Sequence, residues 1–303
     1  MSGDRAAKPP ASEHAGPVAP ALSVIIPTHG RPAELRRCLA ALAAQTPAVD
    51  FEVVVVDDGG EPPASAPPPA PPGTRIVRSD RPRGPAAARN LGAAEASGAI
   101  LVFTDDDTIP DPGWVGSAAA HLAAHPGHVG VEGPTRSTPF DALTEHSVEN
   151  DREGAFLTCN VAYRRATFAE HGGFHEGFPY AHCEDLDLGF RLARAGEVGF
   201  AAGMSVLHPP RPLGAWQEIR RARRVASEVV LRSRHPDLYP DYGRLPPRLR
   251  PVAGLLRARL RLLRAERGRG SWSPSRLGRW AAVTVGATVV ATATCLRVDA
   301  GAP

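Results

Sequence analysis

Three consecutive aspartates, Asp105, Asp106 and Asp107, stand just beyond the apolar run Ile100 to Phe103 and constrain the fold more than any other feature. Such a run is typical of a strand buried on both faces. Open α/β sheets bind their ligands at the carboxyl ends of their strands. Adjacent carboxylates repel one another, so the cluster is stable only if water, hydrogen-bond donors or a cation neutralise it. The stretch therefore predicts either a solvated acidic turn or a ligand site at a sheet edge.

Two more apolar runs, Leu22 to Ile26 and Phe51 to Val56, predict buried strands, and leucines at helical spacing between them predict a connecting helix. This βαβ unit makes the strands parallel, so the second strand delivers Asp57 and Asp58 to the same sheet edge as the cluster. A further helix between Gly84 and Gly98 leads into the strand of the cluster. The repetition predicts an α/β fold with a mainly parallel sheet.

Beyond Pro112 the elements become shorter. One predicted helix has an acidic first turn, with Glu184, Asp185 and Asp187, which complements the positive end of the helix dipole. The predicted helices are Gly113 to Ala124, Arg164 to Glu170 and Asp185 to Ala195, and the predicted strands are Val129 to Val131, Ala155 to Tyr163, Val198 to Phe200 and Ser205 to Leu207.

The composition excludes some classes of protein. Lys8 is the only lysine among 35 basic residues, which excludes the P-loop class with its obligatory phosphate-binding lysine. The cysteines, Cys38, Cys159, Cys183 and Cys295, are far apart and form no C-x-x-C pair, so neither a disulfide framework nor a structural metal is indicated. This cysteine usage favours a reduced, cytosolic compartment.

An ordered set of motifs resembles a known family. The motifs are SVIIPTHGR (Ser23 to Arg31), VVVVDDGG (Val53 to Gly60), GPAAARNLGAAEASGAILVFTDDDTIPDPGW (Gly84 to Trp114), CNVAYRRATFAEHGGF (Cys159 to Phe174) and CEDLDLGFRLARAG (Cys183 to Gly196). From about Leu22 to His208 the chain resembles the family 2 glycosyltransferases. The resemblance implies a GT-A fold, a single Rossmann-like domain with a mixed, mainly parallel sheet. It also implies inverting, metal-dependent transfer of a sugar from a nucleotide-diphosphate sugar to a hydroxyl acceptor.

The resemblance implies a donor site built from the first two motifs and the helix that follows. Pro27 and Arg31 would flank the base pocket with Thr28 between them. Asp58 would contact the base or the ribose, and Arg89 would face the nucleotide.

The resemblance also makes the aspartate cluster a DxD-like motif. Asp105 would reach the ribose or the metal, and Asp107 would bind the Mn²⁺ or Mg²⁺ ion that holds the diphosphate. Asp106 lies between them, and the register stays open by one residue. His208, after the last predicted strand, matches the place of a histidine metal ligand.

The acceptor half carries the catalytic pair of the resemblance. Asp185 matches the general base, and Glu184 would orient hydroxyl groups of donor or acceptor. Helix capping is the structural alternative for both residues. Trp216-Gln217 precedes Arg220-Arg221 in an order unlike the Q-x-x-R-W motif of processive members, so we expect an amphipathic helix and a non-processive enzyme.

Domain boundaries follow from composition. Residues 1–21 are rich in Ala and Pro without an apolar signal-peptide core, which predicts a disordered tail. We expect the glycosyltransferase domain at 22–240, with a donor half at 22–132 and an acceptor half at 133–240, and a basic amphipathic tail at 241–303.

The basic tail predicts contact with an anionic membrane surface, because arginines alternate with leucines from Arg244 to Arg279. Trp280 to Leu296 is an uncharged run at the short limit for a membrane span. A transmembrane helix and a buried or interfacial helix both stay open. The expected location is the cytoplasm, with peripheral or C-terminal attachment to the inner face of the cell membrane. We expect no nucleic-acid partner, because stacking aromatics are absent there.

Two other functions compete with sugar transfer for cell-envelope glycan, glycolipid or natural-product glycoside synthesis. A haloacid-dehalogenase-type phosphatase also opens with an apolar strand and Asp-x-Asp. Ile109, where that motif needs Thr or Val, and the lack of a phosphate-binding lysine argue against it. A catalytically inactive sugar-nucleotide-binding protein is the second alternative, and the complete acidic set argues against it.

Overall fold

The computed structural model describes residues 21–46, 49–66, 69–142, 144–239, 250–268 and 273–297. The strands in this part of the chain are β1 (Leu22–Thr28), β2 (Phe51–Asp57), β3 (Arg75–Arg78), β4 (Ile100–Phe103), β5 (Ile109–Pro110), β6 (His128–Glu132), β7 (Thr135–Arg136), β8 (Glu145–His146), β9 (Val161–Arg164), β10 (Glu197–Phe200), β11 (Val206–Leu207) and β12 (Arg211–Pro212). The helices are α1 (Pro32–Ala43), α2 (Pro85–Glu95), α3 (Trp114–Ala124), α4 (Arg165–Glu170), α5 (Glu184–Ala193), α6 (Ala215–Arg221), α7 (Val225–Arg234), α8 (Arg250–Gly268) and α9 (Pro274–Arg297).

A seven-stranded sheet in the order β10-β6-β9-β4-β1-β2-β3 forms the centre of the described residues. Only β9 runs against its neighbours in this sheet, and the other pairings are parallel. The predicted mixed, mainly parallel sheet is therefore confirmed. Its parallel strands bring the carboxyl ends of β1, β2 and β4 to one edge.

Helices cover both faces of the sheet because successive strand side chains point to opposite sides. Val24 and Ile26 of β1 belong to the core under α1 and α3. Ile25, between them, belongs to the core on the other face, with Phe168 of α4 and Leu188 of α5. The continuous apolar runs of the sequence thus serve two cores at once, which is why they do not alternate with polar residues.

The predicted strand Ala155 to Tyr163 is wrong in its first part, since β9 begins only at Val161. Phe156 has a left-handed backbone with φ 51°, and the Glu132 carboxylate accepts the N–H groups of Gly154 and Phe156, the latter at 2.7 Å. Those N–H groups are engaged by a side chain and cannot enter a ladder. Helix α5 begins at Glu184, one residue before its predicted start.

The C-terminal helix α9 packs one face on α7 and α8 and leaves the other exposed. Ala287, Ala291 and Cys295 are fully buried in a cluster with residues of the neighbouring helices. Val285 and Val289 are 64% and 63% exposed. None of the helices in the described ranges is long and apolar enough for a membrane span. The buried face of α9 fits the alternative of a buried or interfacial helix.

Residues 1–20 of the predicted N-terminal tail, and residues 240–249, 269–272 and 298–303 around the predicted basic tail, lie outside the described residues.

Candidate active site

The carboxyl ends of β1, β2 and β4 surround a cavity of about 340 Å³. Parallel register sets Thr28 beside Asp57, and Ile25 beside Phe103. Continuing that register brings the aspartate cluster level with Thr28, whose hydroxyl donates to Asp106 at 2.7 Å. The sheet edge of the acidic cluster is therefore a concave site.

All the predicted site residues except Asp185 line this cavity. They are Pro27, Thr28, Arg31, Asp58, Arg89, Asp105, Asp106, Asp107, Glu184 and His208. The cavity wall also includes His29, Thr158 and Arg211, which the sequence analysis did not single out.

Asp58 fixes the start of α2 as well as lining the cavity. Its two carboxylate oxygens accept the N–H groups of Arg83 and Gly84 at 2.8 and 2.7 Å. Gly84 precedes the helix with φ 89°, a conformation that glycine adopts without strain. The buried carboxylate thus positions the helix that carries Arg89.

Arg89 connects the aspartate cluster to α5. Its buried guanidinium donates to Asp105 at 2.6 Å and to Glu184 at 3.4 Å. Burial acts to lower the pKa of Arg89, but the carboxylates of Asp105 and Glu184 outweigh it and raise the pKa. Arg89 is therefore a fixed positive charge between the two acidic groups.

Asp106 is the most buried member of the cluster. Its pKa is raised to about 6, chiefly by burial, against the opposing effects of Thr28 and Arg31. Arg31 donates to Asp106 and also to Asp107, in both cases at 3.1 Å. The cluster is thus held together by cations and hydroxyl donors, and the solvated-turn alternative does not describe it.

Asp107 faces a second arginine and a histidine across the cavity. Arg211 donates to its Oδ2 at 3.0 Å, and His208 Nε2 lies 3.6 Å from its Oδ1. Ser147 fixes the histidine tautomer, because its single hydroxyl proton goes to the His208 carbonyl at 2.6 Å. The hydroxyl must then accept from His208 Nδ1, 3.1 Å away. With Nδ1 as the protonated nitrogen, Nε2 is the ring nitrogen that faces Asp107 and could bind a cation.

This pair suits a divalent cation. Carboxylate oxygens and imidazole nitrogens are common metal ligands. The hydroxyl of Ser147 holds the other ring nitrogen of His208, as the outer contacts of metal sites do. Asp105 points to Arg89 instead. Within the described residues, Asp105, Asp107 and His208 do not bring ligand atoms within 4.8 Å of one another. Asp107 and His208 are thus the residues that could hold a metal here.

Glu184 and Asp185 form an under-satisfied acidic pair at the start of α5. Glu184 Oε2 is buried without a hydrogen-bond partner. Asp185 is half-buried, is not among the residues that line the cavity, and accepts the N–H of Leu186 at 2.8 Å. Its pKa is raised to about 6, first by burial and then by the Glu184 charge. The Asp185 carboxylate thus satisfies one N–H group of the first turn of α5, as in the capping alternative, whereas Glu184 Oε2 accepts no hydrogen bond and capping does not explain it.

Arg211 and Ser147 contact Asp107 and His208, and the sequence analysis missed both residues. Arg211 stands three residues after His208, which was the available signal. Ser147 lies in a stretch without a recognisable pattern, and only the fold brings it to His208.

The family model described as Glycosyl transferase family 2 matches residues 23–174, half of the chain. The chain belongs to glycosyltransferase family 2. The matched segment contains the strands and the aspartate cluster of the cavity, while Glu184, Asp185 and His208 lie beyond its end.

Similar members of the family come from a bacterium and an archaeon. Validoxylamine A glucosyltransferase of Streptomyces hygroscopicus subsp. jinggangensis is 32% identical over 220 residues, which cover 58% of this chain and 52% of that protein. Glycosyltransferase AglE of Haloferax volcanii is 28% identical over 215 residues, 64% of this chain and 69% of that protein. The chain thus spans about half of the first relative and about two thirds of the second.

Solved structures of similar proteins share the fold. A Pyrobaculum calidifontis mannosyltransferase in complex with GDP-mannose and Mn²⁺ superimposes with a TM-score of 0.58 at 19% identity, over 93% of this chain and 88% of that one. Staphylococcus aureus TarS in complex with UDP-GlcNAc gives a TM-score of 0.51 at 18% identity, covering 90% of each chain. The GT-A fold is therefore confirmed.

Proposed function

We propose that this family 2 glycosyltransferase moves a sugar from a nucleotide-diphosphate sugar to a hydroxyl acceptor, with metal assistance and inversion at the anomeric carbon. One observation carries the proposal. Arg89 joins the aspartate cluster, which suits a diphosphate with its cation, to the acidic pair of α5, which suits proton abstraction. Single displacement needs these two functions on opposite sides of the transferred sugar.

The donor would lie along the ends of β1 and β2. Pro27, Thr28 and Arg31 would flank the base, and Asp58 would accept a hydrogen bond from the base or ribose. Arg89 would hold the nucleotide side of the cavity. The bound nucleotide sugars of the Pyrobaculum and Staphylococcus structures support a donor of this class.

The metal, Mn²⁺ or Mg²⁺, would be held by Asp107 and His208, with Asp105 at the ribose or the ion and Asp106 between them. When bound, the ion supplies charge neutralisation for the diphosphate leaving group. Arg31 and Arg211, which contact Asp107, would then be released toward the phosphate oxygens. The Mn²⁺ in the Pyrobaculum complex supports a divalent cation.

Asp185 would take the proton from the acceptor hydroxyl, and Glu184 would orient hydroxyl groups in the cavity. A carboxylate with a pKa near 6 is ionised at neutral pH and more basic than an exposed aspartate. Because Asp185 does not line the cavity in this structure, we expect it to turn toward the hydroxyl when the acceptor binds.

An arginine-rich cavity of about 310 Å³ adjoins α6 and favours an anionic acceptor. Its wall includes Arg220, Arg221, Arg223 and Arg224. None of these four forms a carboxylate ion pair with a residue that the structure describes. The pKa of Arg221 falls to about 10 through burial and then through the charge of Arg224, so an anion placed there would relieve repulsion. A phosphate-bearing, lipid-linked acceptor fits this chemistry better than a neutral glycoside.

Peripheral attachment at the inner face of the cell membrane fits such an acceptor. The exposed valines of α9, Val285 and Val289, would supply the apolar contact. Replacing both with serine should reduce sedimentation with anionic liposomes, while the full chain pellets. Equal sedimentation of both proteins would remove α9 from the contact.

Calorimetry with GDP, UDP and dTDP tests the donor site. We expect binding of at least one of these nucleotides with Mn²⁺, a large loss of affinity in chelator, and the same loss in Asp107→Asn. Equal affinity with and without metal would contradict the metal role. Release of free sugar from the donor separates a working enzyme from an inactive binding protein.

A further inference from the structure

A second cluster of titratable side chains lies away from the cavity, where α3 ends and β6 begins. His121, His125 and His128 come from this corner, and all three offer ring nitrogens within 4.8 Å of one another. Within the described residues, no other group of three His, Cys, Asp or Glu side chains meets this criterion. His128 opens β6, whereas the cavity lies where parallel strands end, so the two sites occupy opposite edges of the sheet.

We propose that His121, His125 and His128 form a second metal site, one that takes Zn²⁺ and ties the end of α3 to the edge of the sheet. Three imidazoles with a fourth position open to water are a common ligand set for this ion. The site is independent of the donor, the acceptor and the metal of the active site.

The hydrogen bonds at the other nitrogen of each ring support the assignment. His125 Nδ1 lies 2.8 Å from the His121 carbonyl, which can only accept, so His125 keeps its proton on Nδ1 and its lone pair on Nε2. His128 Nε2 lies 3.5 Å from the Glu197 carboxylate, which leaves its Nδ1 lone pair toward His121. A carbonyl and a carboxylate behind the ligating histidines are the usual outer contacts of a metal site.

The spacing between the two inner nitrogens also fits. His121 Nε2 and His128 Nδ1 are 3.1 Å apart. Two nitrogens bound to one tetrahedral zinc at 2.0–2.1 Å stand about 3.3 Å from each other. In the metal-free protein His121 Nε2 donates a hydrogen bond to His128 Nδ1 across this distance. With Zn²⁺ bound, His121 carries that proton on Nδ1, so the ring stays neutral.

Gly199 of β10 leaves room for the rings. A Cβ at this position would lie 2.6 Å from His128 Nδ1 and closer still to His121 Nε2. Only glycine at position 199 therefore lets the edge strand β10 pass this close to the two nitrogens. A bound ion would link α3, β6 and β10, the last held through Glu197.

Calorimetry with ZnCl₂ tests the proposal on the full chain after removal of any histidine tag. Asp107→Asn is the background, because it removes the metal ligand of the active site. We expect this protein to bind one Zn²⁺ per chain and to gain thermal stability with it. CoCl₂ should give the intense visible absorption of a four-coordinate ion.

His125→Gln in the same background should reduce the affinity at least 100-fold, and Glu197→Gln about tenfold. Both side chains are exposed, so the variants should fold. His171→Gln is the matched control, since His171 makes the same ring contact to the carbonyl four residues earlier, at 3.0 Å, and belongs to no cluster among the described residues. It should leave zinc binding unchanged. The proposal is overturned if Asp107→Asn does not bind Zn²⁺ or if His125→Gln binds it as tightly as its parent.

Discussion

The first turn of α5 contains two kinds of carboxylate, which differ in the number of their hydrogen-bond partners. Asp187 is fully buried and accepts hydrogen bonds from Arg191, Arg234 and His235, at 3.0, 2.6 and 2.9 Å. Burial acts to raise the pKa of Asp187, but these partners lower it. On the same turn, Glu184 keeps a buried oxygen without a hydrogen-bond partner, and burial raises the pKa of Asp185.

This difference indicates which carboxylates stabilise the fold and which are available for the reaction. A carboxylate with a lowered pKa is already neutralised by its neighbours and stabilises the folded chain. A carboxylate with a raised pKa is held ionised at a cost in stability, which persists where a reaction needs a base. We therefore assign Asp187 to the fold and the Glu184–Asp185 pair to the reaction, and each assignment leads to an opposite mutant phenotype.

The largest expected effect is on turnover in Asp185→Asn. The amide is nearly isosteric and cannot take a proton, so we expect a loss of about 10²–10⁴-fold in kcat. Donor affinity and Tm should stay close to those of the parent. Glu184→Gln should instead raise KM, because its assigned role is orientation. Wild-type turnover in Asp185→Asn would move the base elsewhere.

Asp187→Asn should show the reverse pattern. Removing the carboxylate from this buried network leaves Arg191 and Arg234 without their charge partner and costs about 3–5 kcal/mol of unfolding free energy. Chemical denaturation measures this loss. At a temperature where the variant is folded, its kcat should stay within a few-fold of the parent. A variant of normal stability that has lost its turnover would reverse the two assignments.

The pH dependence of the reaction tests the role of Asp185 separately. Asp185 accepts a proton only when ionised, and its pKa is about 6. The value of kcat/KM should therefore rise with pH and level off above 6, falling about tenfold for each unit below it, because kcat/KM reports the titration of the free enzyme. The residual activity of Asp185→Asn should not show this decrease at low pH. Measuring kcat/KM from pH 5 to 8 for both proteins checks the assignment, and identical profiles would contradict it.

The smallest effect concerns Asp106. Its folded pKa is about 6, above the unfolded value of 3.8. Protonated Asp106 therefore makes its whole contribution to the free energy of unfolding below about pH 4, and this contribution is lost as the pH rises through 6. At pH 7 the free energy of unfolding of Asp106→Asn should therefore be about 1 kcal/mol higher than that of the parent. The amide carries no charge to bury, and its oxygen still accepts the hydrogen bond from Thr28. Denaturation at pH 4 and 7 measures the effect, which should be absent or reversed at pH 4.

The sheet and the position of the site could be predicted from the sequence, but the different roles of the three acidic residues of α5 could not. Apolar runs followed by aspartates predicted the strand ends correctly, because a buried parallel strand leaves a strong local signature. Glu184, Asp185 and Asp187 looked alike in the sequence, as a turn that suits the helix dipole. Their partners lie tens of residues away, at Arg89 and Arg234, and no local pattern reports such contacts.

The irregular segment before β9 was mispredicted for a related reason. Its residues favour a strand locally, but the Glu132 carboxylate takes their N–H groups. The histidine cluster was also missed, because the sequence was searched for a structural metal site only around its cysteines. In both places the decisive partner is a side chain on another element.

The inverting mechanism with Asp185 as base is tested most directly by the configuration of the sugar released when the purified chain hydrolyses its donor with Mn²⁺. Proton NMR should record the anomeric coupling before mutarotation, for the parent, Asp185→Asn and Asp187→Asn. We expect a product of inverted configuration from the parent and from Asp187→Asn, and almost none from Asp185→Asn. A retained configuration, or release by Asp185→Asn at the rate of the parent, would contradict this mechanism.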